Sequence, residues 1–476
     1  MNLMPHQYVV LNDTKQYSSV AYYLDMGLGK TYVGAEKMIQ IGNTVNLVIC
    51  QKSKVDDWVQ HFRSNYATHD RDYCTKELIL DLTNKKQFEY FMSESKRATE
   101  EHCIVDDWTG QSYRQENLYP FMIVGIINYE LAWHRPQLLQ LHDFTLMLDE
   151  SSLIQNEKAK QTKFIMKMKP SNVILLSGTP TSGKYENLWT QAQLLGWVIS
   201  KDRYDSTYIN WKLTEDDGSG FRHKIVDMSD PYKNVERLKA KLREHGAVFL
   251  KTEDVLDLPE QNFIEVMVDA PKTYKKFMKD DYIKLFQCNW SSGWEGKKKP
   301  VDMCGEFIEL IGDTIFTKRL YARQLCSQFN QHKIDALTDL IQSTSDRLII
   351  FYNFNDELDI LKGICEALER PYSQVNGSIK DLLAYEEFDD SISIIQYQAG
   401  AMGLNLQKCN KIIYFSLPER SELFEQSKKR IHRIGQSQSC FYYVMMTKDT
   451  IEGTIYENLK MRRDYTDDLF IYEQST

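Results

Sequence analysis

The sequence predicts an α/β protein made of two doubly wound lobes joined by a helical insertion, and three observations carry that prediction. Short apolar runs of strand length fall into two separate sets. Amphipathic, helix-like stretches alternate with them inside each set. A charged segment that lacks such runs divides the sets. Alternating strands and helices are the signature of parallel sheets covered by helices on both faces.

The first set comprises 46–50 (NLVIC), 121–127 (FMIVGII), 145–148 (TLML) and 172–176 (NVILL). The second comprises 347–352 (RLIIFY), 392–397 (ISIIQY), 411–415 (KIIYF) and 441–446 (FYYVMM). These runs are continuous rather than alternating, which suits strands buried on both faces. Helices are expected over Thr31–Ile41, Lys54–Phe62, Asp356–Leu368 and Ser421–Ile431. The division therefore reads as lobe one at 1–200, a helical protrusion and linker at 201–330, and lobe two at 331–476.

Composition narrows the class. A chain of 476 residues with 42% hydrophobic and 26% charged residues has room for at least two cores. Gly (22) and Pro (11) are too scarce for a collagen-like or largely disordered chain. No apolar run approaches the roughly 18 residues of a membrane span. The opening MNLMPHQYVVLNDTK has no signal-peptide pattern, so a cytoplasmic protein is expected. The nine cysteines are scattered and none forms a CxxC pair, which reads as reduced core thiols rather than a zinc site. The net charge of −9 is the opposite of what a protein that coats nucleic acid carries. It is compatible with a local basic track on an acidic body.

Four motifs carry chemistry. Leu24–Thr31, LDMGLGKT, is a glycine-rich turn running into a helix. Such a turn offers backbone N–H groups to phosphates, with Lys30 reaching the β- and γ-phosphates and the Thr31 hydroxyl on Mg²⁺. About 120 residues later TLMLDE ends an apolar strand in two carboxylates. In a Walker B layout Asp149 holds Mg²⁺ and Glu150 orients the attacking water. LLSGTP places Ser177 and Thr179 at another strand end, where their hydroxyls can bond to the acidic pair; a plain Ser-Gly turn has the same string. QSKKRIHRIGQ spaces Arg430 and Arg433 three apart, so on a helix they would share a face and act as arginine fingers.

Together these residues resemble helicase superfamily two, and most closely its Swi/Snf-like DNA-dependent ATPases. The match runs in order along nearly the whole chain. DMGLGKT resembles motif I, LMLDES motif II, LLSGTP motif III with YENLW as its extension, QAGAMGLNL (398–406) motif V, and the HRIGQ-ended run motif VI. LVICQKSKVDDW is similar to motif Ia, INYE (127–130) to motif Ib and RLIIFYNF (347–354) to motif IV. FLKTEDVLDLP (249–259) resembles the link into the second lobe. Departures include DESS in place of DEAH or DEGH, and Ala401 where a second glycine is frequent.

The resemblance implies two RecA-like lobes that hydrolyse ATP with Mg²⁺ in the cleft between them and move on double-stranded DNA. Gln7, Gly27, Leu28, Gly29, Lys30, Thr31, Gly403 and Asn405 would hold the nucleotide. Thr31 and Asp149 would hold the metal, and Lys30, Asp149, Glu150, Arg430 and Arg433 would carry catalysis. Ser177, Thr179 and Gln426 would couple the motifs. Lys52, Lys54, Asn128, Asn353 and Gly400 would meet the DNA backbone, giving little sequence specificity. Lys297–Lys299 either touch phosphate or form a solvated loop, while Trp290 and Trp294 pack locally.

The chain reads as a bare, monomeric motor of a bacterial or bacteriophage type, with no membrane partner and with replication or recombination proteins as candidate partners. A strand-separating helicase would need a wedge between motifs V and VI, where LPERSELFEQ leaves little room. A DNA-binding adaptor with a regulatory ATPase is the other alternative. No clustered carboxylate–lysine site supports a nuclease.

Overall fold

The computed structural model describes residues 3–66, 78–100, 103–105, 112–114, 122–215, 222–288, 305–400 and 404–470. The chain divides into two compact units, Met1–Val255 with Tyr465–Thr476, and Leu256–Asp464.

The first unit carries strands β1 (Ser19–Leu24), β2 (Val45–Cys50), β3 (Leu78–Asp81), β4 (Cys103–Val105), β5 (Ser112–Arg114) and β6 (Ile123–Asn128). It continues with β7 (Phe144–Asp149), β8 (Asn172–Ser177), β9 (Trp211–Glu215), β10 (Arg222–Val226) and β11 (Ala247–Leu250). Its helices are α1 (Pro5–Asp13), α2 (Lys30–Ile41), α3 (Val55–Tyr66), α4 (Lys85–Glu100) and α5 (Tyr129–Ala132). After these come α6 (Lys160–Ile165), α7 (Trp189–Leu194), α8 (Lys201–Tyr208) and α9 (Val235–Glu244).

Seven strands pair in the order β11-β1-β8-β7-β2-β6-β3, and every pairing is parallel. In a parallel sheet all strand ends of one kind lie along one edge. The segments after β1, β2, β6, β7, β8 and β11 therefore share the C-terminal edge, where ligands bind in open α/β sheets. One face packs Leu47, Ile49, Leu146, Leu148, Val173 and Leu175 with Phe164, Ile165 and Met168. On the other face α2 lies close to the sheet. A Cβ on Gly34 would sit 2.8 Å from Leu176 Cδ1 and 2.9 Å from Met147 Sδ, so a larger residue would push those side chains aside.

The second unit carries β12 (Gln261–Val268), β13 (Tyr282–Cys288), β14 (Gly305–Ile311), β15 (Leu348–Tyr352) and β16 (Tyr372–Val375). Its remaining strands are β17 (Lys380–Asp381), β18 (Ile392–Gln396), β19 (Lys411–Tyr414) and β20 (Cys440–Thr447). Its helices begin with α10 (Lys272–Asp280), α11 (Ile315–Cys326), α12 (Gln331–Gln342) and α13 (Asn355–Ala367). They end with α14 (Leu383–Glu387), α15 (Tyr397–Gly400), α16 (Ser421–Lys428) and the greater part of α17 (Ile451–Phe470). The sheet runs β12-β20-β19-β15-β18-β16-β17 and is parallel except at the short β16–β17 edge.

All eight apolar runs are strands, displaced at their ends by two residues or fewer. The segment 201–330 is less helical than expected. Beside α8–α11 it holds six strands among its described residues. Two of them complete the main sheets: β11 pairs with β1, and β12 pairs with β20. Edge strands are solvated on one side and need no long apolar run, which is why β12, interrupted by Gln261, Asn262 and Glu265, does not read as a buried strand. Lys297–Lys299, Trp290, Trp294 and Gly403 lie outside the described residues.

Candidate nucleotide-binding site

The glycine turn leaves the C-terminal end of β1 and enters α2 directly. Gly27 (φ 90°) and Gly29 (φ 75°) are both left-handed. At Gly29 glycine is required twice over, because a Cβ there would also lie 2.1 Å from Gln7 Nε2. Helix N-termini present amides to anions, and α2 begins at this turn, with the Tyr32 and Val33 amides bonded back to the Gly29 carbonyl at 3.0 and 3.2 Å. Lys30 Nζ lies across it, donating to the carbonyls of Leu24 at 2.9 Å and Asp25 at 3.2 Å.

Helix α1 is fastened to this turn. Gln7 Nε2 donates to the Leu28 carbonyl at 3.1 Å, and its Oε1 accepts from the Met4 amide at 2.8 Å. His6 Nε2 meets the same carbonyl at 3.1 Å. A third anchor comes from beside the neighbouring edge strand, β11, which pairs with β1. Asp25 Oδ2 accepts the Thr252 hydroxyl at 2.9 Å, just beyond β11.

Asp149 ends β7, two strands from the turn in the sheet order. Its Oδ2 accepts the Trp58 indole N–H at 2.8 Å, and its carbonyl accepts the Tyr129 hydroxyl at 3.0 Å. Burial raises the Asp149 carboxyl above its ordinary range, while the Trp58 bond and the charge of Lys30 pull the other way. Glu150 follows at φ 56°, a left-handed conformation that costs a non-glycine residue energy and that collects at functional sites. Its Oε1 accepts hydroxyls from Ser152 at 2.8 Å and Ser177 at 2.9 Å. Ser177 Oγ in turn accepts the Thr179 amide at 3.1 Å. The Thr179 hydroxyl is buried and has no protein partner among the described residues.

Motif II reads DESS, and the structure shows what its serines touch. Ser152 bonds to Glu150, while Ser151 donates to Gln191 Oε1 at 2.8 Å. Gln191, on α7, also accepts from Tyr23 at 3.0 Å and donates to the Pro180 carbonyl at 2.8 Å. One buried glutamine thus joins β1, motif II and motif III. Gln191, Trp58 and the Asp25–Thr252 bond were not singled out from the sequence. Trp58 closes the string KSKVDDW, so the motif Ia match was the signal that could have found it.

The candidate DNA-facing residues of the first unit are unequally available. Lys52 is exposed. Lys54 pairs with Asp57 at 2.7 Å, and Asn128 is buried with its amide on Glu130 at 2.7 Å.

In the second unit Asn353 directly follows β15 and is consumed in a local knot. Its side-chain amide donates to Ser416 Oγ at 2.9 Å and the Leu417 carbonyl at 3.0 Å. Gly400 ends α15, and Gln426 is buried on α16. The shared helical face expected for Arg430 and Arg433 is not observed. Helix α16 stops at Lys428, and both arginines lie in the turns that follow. Gly435, at φ 96°, and the Gln436 amide bond to the Arg433 carbonyl at 3.0 Å shape this segment. Arg430 is buried, whereas Arg433 is half-exposed and donates to Asn405 Oδ1, joining motif VI to motif V. Gln436 adds a second join, donating to the Cys409 carbonyl at 2.9 Å and the Gln407 carbonyl at 3.2 Å.

The residues present fit a magnesium nucleotide. Amides and an ammonium lie at the turn, a strand-tip carboxylate and the Thr31 hydroxyl offer hard oxygen, and the Thr179 hydroxyl is unpartnered among the described residues. A doubly wound sheet with a phosphate turn after one strand and adjacent carboxylates after another defines the phosphate-loop NTPase class. Within it the assignment is specific. Residues 21–282 match the SNF2-related domain, and residues 332–435 match the helicase conserved C-terminal domain. The chain belongs to the SNF2-related family, and its two units are RecA-like lobes.

The mouse SWI/SNF-related matrix-associated actin-dependent regulator of chromatin subfamily A member 1 is 24% identical over 432 residues, covering 84% of this chain and 39% of that protein. The ISWI chromatin-remodeling complex ATPase ISW1 of Saccharomyces cerevisiae is 21% identical over 468 residues, covering 92% of this chain and 38% of that protein. The chain thus spans about two fifths of the length of these relatives. The Sulfolobus solfataricus SWI2/SNF2 ATPase core in complex with dsDNA aligns over 98% of this chain and 93% of that one, at 17% identity and a TM-score of 0.39.

Proposed function

We propose that this chain is an ATP-hydrolysing motor that moves along double-stranded DNA, or remodels protein–DNA complexes, without separating the strands. The observation that best supports this reading is the bond from Ser177 to Glu150, set beside the Lys30 turn on one sheet edge. It ties the residue suited to orienting water to the strand end that senses the neighbouring motif.

In this reading the turn amides and Lys30 bind the β- and γ-phosphates, and the Lys30 ammonium exchanges its two carbonyl contacts for phosphate oxygen. Thr31 and Asp149 hold Mg²⁺, which when bound neutralises charge on the transferring phosphoryl group. Glu150 takes the proton of the attacking water, and Ser177 fixes the carboxylate that does so. Arg430 and Arg433 supply guanidinium charge to the γ-phosphate, on the strength of the motif VI match. Gln7 orients the base, and Gly403 and Asn405 complete the nucleotide contacts. Gln426 joins Ser177 and Thr179 in coupling.

Lys52, Lys54, Asn128, Asn353 and Gly400 serve the DNA track, with Lys52 the most accessible of the side chains. A cytoplasmic, monomeric protein with replication or recombination partners, in a bacterial or phage-infected cell, completes the proposal. No helix among the described residues is long and apolar enough to cross a membrane.

The test is ATP hydrolysis measured with duplex DNA, single-stranded DNA and RNA side by side, followed by a strand-displacement assay. Duplex stimulation that vanishes in Lys30→Ala and Glu150→Gln is expected. Equal or greater stimulation by single strands, with strand displacement, would replace this reading by a helicase.

A further inference from the structure

Residues 158–169 contain five lysines and no acidic residue, in a chain whose net charge is −9. Lys160, Lys163 and Lys167 fall at i, i+3 and i+7. The helical turn persists past α6 through bonds from the Met166 amide to Thr162 and the Lys167 amide to Phe164. Those three lysines therefore share one face, while Phe164, Ile165 and Met168 turn into the core of the sheet. All five lysines are exposed. Lys160 Nζ lies 5.3 Å above the Trp133 ring. Among the described residues, Lys158, Lys163, Lys167 and Lys169 have no carboxylate partner. Two of the motif residues differ in this respect, since Lys54 and Asn128 are both already bonded to carboxylates.

The strand order locates this face. Helix α6 follows β7, whose C-terminal end carries Asp149, and precedes β8, which starts at Asn172. Because β7 and β8 are parallel, the chain must return from the C-terminal edge to the opposite edge before β8 begins. Lys169 lies three residues before that start, a strand length of about 20 Å from the edge that holds Asn128 and the motif Ia segment. Lys160 to Lys167 spans roughly 10 Å of helix, about three steps of duplex DNA at 3.4 Å each. Like charges at one-turn spacing destabilise a helix, so an anion seated here would relieve a standing repulsion.

We infer that this lysine face is a second docking surface for the phosphate backbone of duplex DNA, separate from the motif track. The inference rests on the duplex-motor reading above. The contact is electrostatic and sequence-blind, and it acts on affinity rather than on the chemical step.

The test compares the intact chain with the triple variants Lys163→Glu/Lys167→Glu/Lys169→Glu and Lys163→Gln/Lys167→Gln/Lys169→Gln. Binding of a fluorescent duplex is titrated over a range of NaCl concentrations, and ATP hydrolysis is measured with and without that duplex. The expected result is unchanged hydrolysis without DNA, an unchanged maximal rate at saturating DNA, and at low salt a dissociation constant raised about tenfold or more. The slope of log affinity against log salt should fall by about 2 to 3, close to one for each lysine removed. Unchanged affinity and slope in both variants, while Lys52→Glu weakens binding, would overturn the inference and leave the motor reading standing. A wild-type chain that binds no duplex would overturn both.

Discussion

The Ser177 hydroxyl donates to Glu150 Oε1 at 2.9 Å, joining the tips of two strands, β7 and β8, that are neighbours in the sheet. Ser152 supplies a second hydroxyl to the same oxygen. Hydrogen bonds to a charged acceptor contribute about 1.5–3 kcal/mol each. Ser177→Ala should therefore leave Glu150 held but less well aimed. Its maximal rate of ATP hydrolysis should fall on the order of tenfold, a change of about 1.4 kcal/mol in the barrier. Nucleotide affinity, read by a fluorescent ADP analogue, should change little. A variant that loses affinity and keeps its rate would contradict this role.

Asp149 illustrates a stability cost at the site. Burial raises its carboxyl, so the ionised form is less favourable in the folded chain than in the unfolded one. The sign follows from linkage: such a group favours folding below its unfolded value and loses that contribution as the pH rises through its folded value. Asp149→Asn, which imitates the protonated form and keeps an oxygen for Trp58, should raise the melting temperature at pH 7. The gain should shrink as the pH falls toward about 4, the ordinary carboxylate range. Hydrolysis should be lost throughout. Differential scanning fluorimetry across pH reads the first effect.

Gly29 faces two constraints at once, a left-handed φ and the Gln7 side chain. Gly29→Ala should cost about 1–2 kcal/mol from backbone conformation alone and should also push Gln7 off the Leu28 carbonyl. Nucleotide binding by calorimetry should weaken more than the loss of stability explains. Gly29→Ala combined with Gln7→Ala should recover part of the stability and none of the binding.

The second unit has an ion pair in its core. Lys333 and Glu452 are both buried, with Nζ 2.6 Å from Oε1, and Glu452 Oε2 also accepts the Thr447 amide at 2.8 Å. Removing one partner of such a pair leaves an uncompensated charge and typically costs about 3–5 kcal/mol. Lys333→Met should destabilise the second unit by that order in urea unfolding. Lys333→Met with Glu452→Gln should be milder, because the glutamine still meets Thr447 without a bare charge.

Much of this was legible in the sequence, for reasons that differ by residue. Strands such as 172–176 are buried on both faces, so they appear as unbroken apolar runs. Lys30, Asp149 and Glu150 follow from chemistry that admits few residue types at fixed spacing. Edge strands β11 and β12 were not legible, because their pairing is decided by distant partners, Ala21–Leu24 and Cys440–Thr447. The helix expected through Ile431 ends three residues early, at Lys428. Arg430 instead follows turns whose bonds no periodicity encodes. Gln191 reaches three separate segments through tertiary contacts alone, so its role has no local signature.

The most direct measurement is the rate of ATP hydrolysis by the intact chain, with and without duplex DNA, beside Glu150→Gln. The account predicts a strong rise on adding duplex, a smaller one with single strands, and none in Glu150→Gln. A rate that duplex DNA leaves unchanged in a chain that hydrolyses ATP would contradict it.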